Sequence, residues 1–251
     1  MGALHEGHLA LVRAARAQCD VVVVSIFVNP TQFGPTEDLA KYPRPFDRDC
    51  ELLRQEKVDF VFAPSAEEMY PPGAVTYVEV ANLSDKLCGH SRPGHFRGVA
   101  TIVHKLFNIV QPEVAFFGQK DAAQVAVLQA MVRDLSLPIQ IVACPIVRES
   151  DGLAMSSRNL YLTAQQRQQA LVLYRSLSRV VELYAAGERS SEVLIREGQR
   201  TFQQEPAARL DYLKIVNPTT LASISTAAPG SLIAVAGFLG TTRLIDNVLL
   251  P

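Results

Sequence analysis

Val21-Val22-Val23-Val24-Ser25-Ile26-Phe27-Val28 is a strand-sized apolar stretch, rich in β-branched residues and broken only by Ser25. Branching at Cβ stiffens a side chain in a helix and suits the pleated surface of a sheet, so the run predicts a strand. It lacks polar alternation, which predicts burial on both faces, the situation of a strand in a parallel sheet. It is far too short to span a membrane. Before it, residues 8–19 place Leu11, Val12, Ala15 and Cys19 at helical spacing. After it, Pro30 and Gly34 break the pattern.

The same rhythm continues outward. Residues 47–56 read as a short helix, 59–63 as the next buried strand and 75–80 as a weaker one. Residues 87–97, rich in Gly, His, Arg and Pro, read as a functional loop. Val99, Ile102, Val103, Leu106, Ile109 and Val110 mark an amphipathic helix. Residues 114–117 read as a strand, 121–135 as a helix with Val125, Leu128, Val132 and Leu135 inward, and 139–147 as a strand. Strands alternating with helices predict a parallel sheet covered on both sides. Past Val147 the pattern changes to two helices, 163–186 and 190–204, and three strands, 210–216, 232–238 and 243–249, with short connections. The expected fold class is α/β, a Rossmann-like doubly wound parallel sheet over residues 1–147, followed by a smaller α+β lid domain over 148–251.

Composition narrows the function. Lys and Arg (24) nearly balance Asp and Glu (25), which argues against a broad footprint for nucleic acid or an anionic membrane and leaves room for a local anion pocket. Cys19, Cys50, Cys88 and Cys144 form no CxxC pair, which argues against a zinc site or disulfide framework and for a reducing cytoplasm. The polar opening residues do not read as a secretory signal.

Two segments carry phosphate chemistry. Met1-Gly2-Ala3-Leu4-His5-Glu6-Gly7-His8 puts two histidines beside a glycine at a helix start. Helix N-termini attract anions through free N–H groups and the macrodipole, and His5 and His8 add donors that can meet developing charge. A metal pair or surface histidines would give the same spacing. Met155-Ser156-Ser157-Arg158-Asn159 combines hydroxyls, consecutive N–H groups and a guanidinium, a phosphate-gripping set. Together they resemble the HxGH nucleotidyl-transfer superfamily. Further loops fall at the carboxyl ends of the expected strands, where open α/β sheets bind ligands. They are Phe27-Val28-Asn29-Pro30-Thr31-Gln32-Phe33-Gly34 with Tyr42-Pro43-Arg44, then Ser91-Arg92-Pro93-Gly94-His95-Phe96-Arg97-Gly98-Val99, then Phe116-Phe117-Gly118-Gln119-Lys120-Asp121 leading to Gln124. With Leu244-Ile245-Asp246-Asn247 near the end, these motifs together resemble the pantothenate synthetases, the pantoate–β-alanine ligase family.

The resemblance implies an enzyme that forms an amide bond, with ATP, pantoate and β-alanine as substrates and Mg2+ accompanying ATP. Pantoyl-adenylate would be the intermediate, and pantothenate, AMP and pyrophosphate the products. It implies ATP against Met1, Gly2, Ala3, Leu4, His5, Glu6, Gly7, His8, Gly118, Gln119, Lys120, Asp121, Val147, Met155, Ser156, Ser157 and Arg158. Pantoate would meet Gln32 and Gln124, with Gln32 also near β-alanine, and His8 would be the proton donor. His5, Lys120, Ser156, Ser157 and Arg158 join His8 in the catalytic set. Lys120 suits phosphate oxygens as a point cation, and the two glutamines bind a hydroxy acid without locking its carboxylate in an ion pair. Asp49, on the helix after Tyr42-Pro43-Arg44, is a metal-side candidate for Mg2+, with a solvated helix face as the equal alternative. Arg92 and His95 are further candidates near phosphate or carboxylate, whereas His90 and His104 read as structural or exposed. A homodimer through the larger domain is also implied.

Two departures stand out. Gln119 occupies a position where the family usually has Glu. The chain also opens at the HxGH motif, while the family carries a leading helix and first strand before it, so a first strand is expected to be missing. Two other readings follow: a nucleotidylyltransferase of the same superfamily, which would not need the 29–34 and 92–99 segments, and an inactive, N-terminally truncated nucleotide-binding remnant.

Overall fold

The computed structural model describes residues 1–35 and 37–251. In chain order the elements are α1 (Glu6–Arg16), β1 (Val23–Ser25), α2 (Phe46–Gln55), β2 (Phe60–Phe62), α3 (Ala66–Met69), α4 (Cys88–Ser91), α5 (His95–Val110), β3 (Val114–Gly118), α6 (Ala122–Asp134), β4 (Gln140–Cys144), α7 (Ala164–Gln169), α8 (Leu171–Ala185), α9 (Ser191–Phe202), β5 (Ala208–Val216), β6 (Leu232–Leu239) and β7 (Thr242–Leu249). They form two compact units. The first comprises Met1–Asp85, Gly89–Gly118 and Val127–Pro145, and the second Lys86–Cys88, Gln119–Ala126 and Ile146–Pro251.

In the first unit the strand pairing among the described residues is parallel. β1 pairs with β2 from Val23 opposite Phe60 to Ser25 opposite Phe62. β3 pairs with β4 from Val114 opposite Gln140 to Gly118 opposite Cys144. The pairs are separate two-stranded sheets, linked by packing: Phe116 of β3 rests on the cluster of Leu4, Val12, Ala15, Val22, Val24 and Leu53. α1 turns Leu9, Leu11, Val12 and Ala15 inward, and Glu6 in its first turn with Arg13 and Arg16 in its last complement the helix dipole.

Several sequence expectations need correction here. The 21–28 run is a strand over three residues only. Val22 and Val24 enter the core, but Val21 is 58% and Val23 39% exposed. α1 and α2 cover one face of β1, and the other faces solvent. The expected buried strand at 59–63 is likewise short, and it is open on both faces, with Phe60 63% and Val61 38% exposed. Residues 75–80 form no strand; the Val78 N–H donates instead to Thr101 Oγ1 of α5 at 2.9 Å. The strand at 139–147 stops at Cys144, and the helix at 163–186 divides at Ala170 into α7 and α8.

The second unit is α+β. β5, β6 and β7 form an antiparallel sheet with β6 central. Central strands have all their backbone groups paired, and β6 is buried nearly throughout. Leu173, Leu177 and Val180 of α8 and Leu194 and Phe202 of α9 pack against Leu213, Ile215, Ile233 and Val235 of the sheet. The β6–β7 turn is tight, at residues 240–241, but residues 217–231 make a long connection between β5 and β6 rather than a short one.

Candidate active site

In the first unit the HxGH loop is shaped by its backbone. Gly2 has φ +147°, and Ala3 follows at φ +50° in the left-handed region, where an ordinary L-residue is uncommon. Asp49, in the first turn of α2, holds this shape. Its Oδ2 accepts from the Ala3 N–H and its Oδ1 from the Leu4 N–H, both at 2.8 Å, and the residue is 1% exposed. Each oxygen of Asp49 thus accepts one backbone amide, so the carboxylate shapes the loop, and a lone pair remains on each oxygen. Among the described residues no three of His, Cys, Asp and Glu gather as a metal site.

His5 caps α1, its carbonyl accepting from the N–H groups of His8 and Leu9. The two imidazoles lie 4.0 Å apart between centroids. His8 Nδ1 accepts from the His5 N–H at 3.3 Å. In the neutral ring the proton therefore sits on Nε2, the form suited to donating toward an anion. Gly7 belongs to the first turn of α1, whose amides and dipole favour negative charge.

The strand end after β1 presents Gln32. Asn29, 2% exposed, organises this turn. Its Oδ1 accepts from Thr31 Oγ1 at 2.9 Å and Tyr70 Oη at 2.8 Å, and its Nδ2 donates to the Gly98 carbonyl at 3.1 Å and to Gln32 Oε1 at 3.3 Å. With Oε1 held, Gln32 offers Nε2 as its donor. The Gln32 carbonyl accepts from Arg92 Nη2 at 3.2 Å and meets His95 Nδ1 at 2.8 Å. Arg92 Nη1 lies 3.1 Å from His95 Nε2. A guanidinium only donates, so Nε2 is the acceptor and Nδ1–H is the donor to Gln32. Arg92 also forks onto Glu37, with Nε to Oε1 at 2.8 Å and Nη2 to Oε2 at 2.5 Å. Arg92 and His95 therefore brace the Gln32 turn. Gly98 allows α5 to approach it, since a Cβ there would lie 2.3 Å from the Thr31 carbonyl oxygen. A cavity of about 470 Å³ opens at the ends of β1 and β2, lined by Gly2, Phe27, Pro30, Arg44, Asp49 and Pro64 among others.

In the second unit, Gln119, Lys120 and Asp121 form a single 3-10 turn leading into α6, where Gln124 lies in the opening turn. Asn247 of β7 donates through Nδ2 to the carbonyls of Gln119 and Lys120, each at 2.9 Å. Val147 and Met155 pair across a hairpin, the Met155 N–H donating to the Val147 carbonyl at 3.0 Å. Ser156 then caps the 3-10 turn Ser157–Tyr161, its Oγ accepting from the Arg158 N–H at 3.3 Å. Asp246 is 3% exposed and bonded through both oxygens to Arg148. Burial pushes its carboxyl pKa up from the ordinary value, and Arg148 opposes that rise.

The structure thus gathers residues 1–8, Asp49, Gln32, Arg92 and His95 in the first unit, with Gly118 closing β3. Gln119, Lys120, Asp121, Gln124, Val147 and residues 155–158 belong to the second. His90 is exposed, and His104 pairs with Asn108 on α5. Sequence reasoning gives Asn29 no task and passes over Glu37 and Tyr70. The one local signal is an Asn directly before Pro at a strand end, a common turn starter.

The profile of the pantoate-beta-alanine ligase family matches residues 1–249. A pantothenate synthetase from Acidobacterium capsulatum is 61% identical over 250 residues, covering 100% of this chain and 84% of the relative. The crystal structure of pantothenate synthetase from Thermus thermophilus superposes with a TM-score of 0.97 at 49% identity, covering 100% of this chain and 91% of that one. A pantoate-beta-alanine ligase from Francisella tularensis, solved with β-γ ATP and β-alanine, gives a TM-score of 0.80 at 34% identity, covering 99% and 87%.

Proposed function

The chain belongs to the pantoate–β-alanine ligase family and joins pantoate to β-alanine in an ATP-dependent reaction, and we propose that it does so through a pantoyl-adenylate. A pantoate carboxylate oxygen attacks the α-phosphorus of ATP, the bond to the bridging oxygen breaks, and pyrophosphate leaves. The β-alanine amine then attacks the acyl carbon, the bond to the AMP oxygen breaks, and the amine releases its proton. Such a reaction asks the protein for position and charge stabilisation more than for covalent chemistry.

In this reading residues 1–8, residues 118–121, Val147 and residues 155–158 meet ATP. Gln32 and Gln124 hold pantoate, and Gln32 also serves β-alanine. His8 donates toward the charge that develops as pyrophosphate leaves, with His5, Lys120, Ser156, Ser157 and Arg158 assisting. The observation that carries it is the His5–His8 pair at the opening of α1, with His8 turned by the His5 N–H so that Nε2 bears the proton. Magnesium enters with ATP as its counterion, and Asp49 is the residue beside the loop that could meet it. Four free cysteines support a cytoplasmic setting, and among the described residues no helix is long and apolar enough to cross a membrane. A homodimer completes the reading, and sedimentation tests it.

The deciding experiment measures pyrophosphate and AMP with pantoate present, with and without β-alanine. A single pyrophosphate burst without β-alanine and steady AMP release with it are expected. ADP as product, or AMP release that ignores β-alanine, would overturn the adenylate reading.

A further inference from the structure

Two segments assigned to ATP, the Gln119–Asp121 turn and residues 155–158, are held by adjacent residues of one strand. Asn247 of β7 places its two amide protons on the carbonyls of Gln119 and Lys120. Each distance is 2.9 Å, so the Lys120 backbone is fixed to β7 at two consecutive points. Asp246, the preceding residue, takes the Arg148 guanidinium at 2.6 and 3.0 Å. Arg148 also donates to the Gly152 carbonyl at 3.0 Å and the Asn247 carbonyl at 3.2 Å, and lies 4.7 Å from the Tyr174 ring centroid. Arg148 sits in the hairpin that pairs Val147 with Met155, bridged to Ala154 across it. Glu149 of the same hairpin binds Asn159, just past residues 155–158, and Arg167. The Asp246 Oδ1 accepts from the Asn247 N–H at 2.7 Å, which ties the two anchors to each other.

We propose that Asp246 and Asn247 are positioning residues for ATP: Asn247 sets the Gln119–Asp121 turn, and Asp246 sets the 147–155 hairpin through Arg148. This rests on the reading that Lys120 and residues 155–158 meet ATP. Neither residue needs to touch substrate. Both side chains sit almost wholly out of solvent on a strand, a more rigid base than a loop offers. Adjacency keeps the two segments in register, because one cannot shift without moving the strand that carries the other.

The test uses the full chain with ATP, pantoate and β-alanine, in pantoate-dependent ATP–pyrophosphate exchange. Asn247→Asp keeps the size but faces a carboxylate toward two carbonyls. Its KM for ATP is expected to rise on the order of tenfold, the size of one lost buried hydrogen-bond set. The KM for pantoate is expected to stay within about twofold. Loss of folded enzyme would lower kcat for every substrate and leave both KM values unchanged. Asn247→Ser retains one donor and is expected to fall between the two, so a poorly folding Asn247→Asp leaves the question answerable. Arg148→Lys is expected to raise the KM for ATP in the same direction. Lys120→Ala is the control. If it weakens ATP use while the Asn247 and Arg148 variants match the wild type, the positioning role is wrong. If Lys120→Ala itself leaves ATP use unchanged, the underlying assignment of ATP to this turn is wrong.

Discussion

His8 and Asp49 divide the work of one loop. His8 offers a proton on Nε2 at a helix start, and Asp49 spends both oxygens on the amides of Ala3 and Leu4. The histidines stand out in the sequence because HxGH sits at a helix start, where local spacing alone brings the two rings together. Asp49 does not, because its partners lie more than forty positions away and only folding brings them together. The sequence offers it as a metal-side residue or a solvated helix face, and the structure adds a task neither reading contains, holding two N–H groups of the loop. His8→Ala is expected to cut the rate of pantoate-dependent pyrophosphate formation by about 100-fold, typical for one donor aimed at developing charge. Pantoate binding by titration should hardly change. A variant that forms pyrophosphate at the wild-type rate would remove His8 from the chemistry.

At the scale of elements, the helices are the readable part. The apolar faces of α1, α5 and α9 follow 3.6-residue spacing, which survives any arrangement that covers one side. The strands are less legible. An unbroken Val run says extended backbone, but how many of its faces are covered depends on what packs beside it, and β1 receives cover on one. The approach of α5 to the Gln32 turn depends on Gly98, which a sequence shows only as one more glycine. Gly98→Ala would drive a methyl into the Thr31 and Gln32 backbone at 2.3–2.8 Å. Overpacking of this kind costs about 1–3 kcal/mol, and because the displaced turn carries Gln32, the KM for pantoate should rise as well. Urea unfolding and pantoate saturation check the two effects; a variant with unchanged pantoate saturation would mean the turn does not position Gln32. The ends of α1 and β1 meet at Asp59, whose Oδ2 accepts from the Val22 N–H at 2.8 Å and from Arg16 at 2.6 Å. The Val22 bond is the larger cause holding its pKa below the ordinary 3.8, and Arg16 adds to it. A carboxyl lowered in the folded state contributes stability above its unfolded value and loses it as pH falls through the folded value. The stability gap between wild type and Asp59→Asn should therefore be full at neutral pH and close below about 3.8. A gap that persists unchanged into acid would show that the charge on Asp59 is not its source.

At the scale of the whole molecule, the change of rhythm near Val147 is visible because a parallel α/β unit and an antiparallel α+β unit leave different marks: alternating short strands and helices before it, helices then long strands after it. The sequence does not show that residues 119–126 group with the second unit, where Asn247, more than a hundred positions away, reaches the carbonyls of Gln119 and Lys120. Chemically the molecule is near charge balance, so the proposed reading places its attraction for anionic substrates on local donors, Lys120, Arg158 and the amides at the head of α1. The central claim is that the pantoate carboxylate becomes part of an adenylate. Pantoate labelled with oxygen-18 in its carboxylate tests this most directly, with the released nucleotide analysed by mass spectrometry. The adenylate route predicts that AMP carries one labelled oxygen for each pantothenate formed. Unlabelled AMP, or label recovered in inorganic phosphate beside ADP, would contradict it.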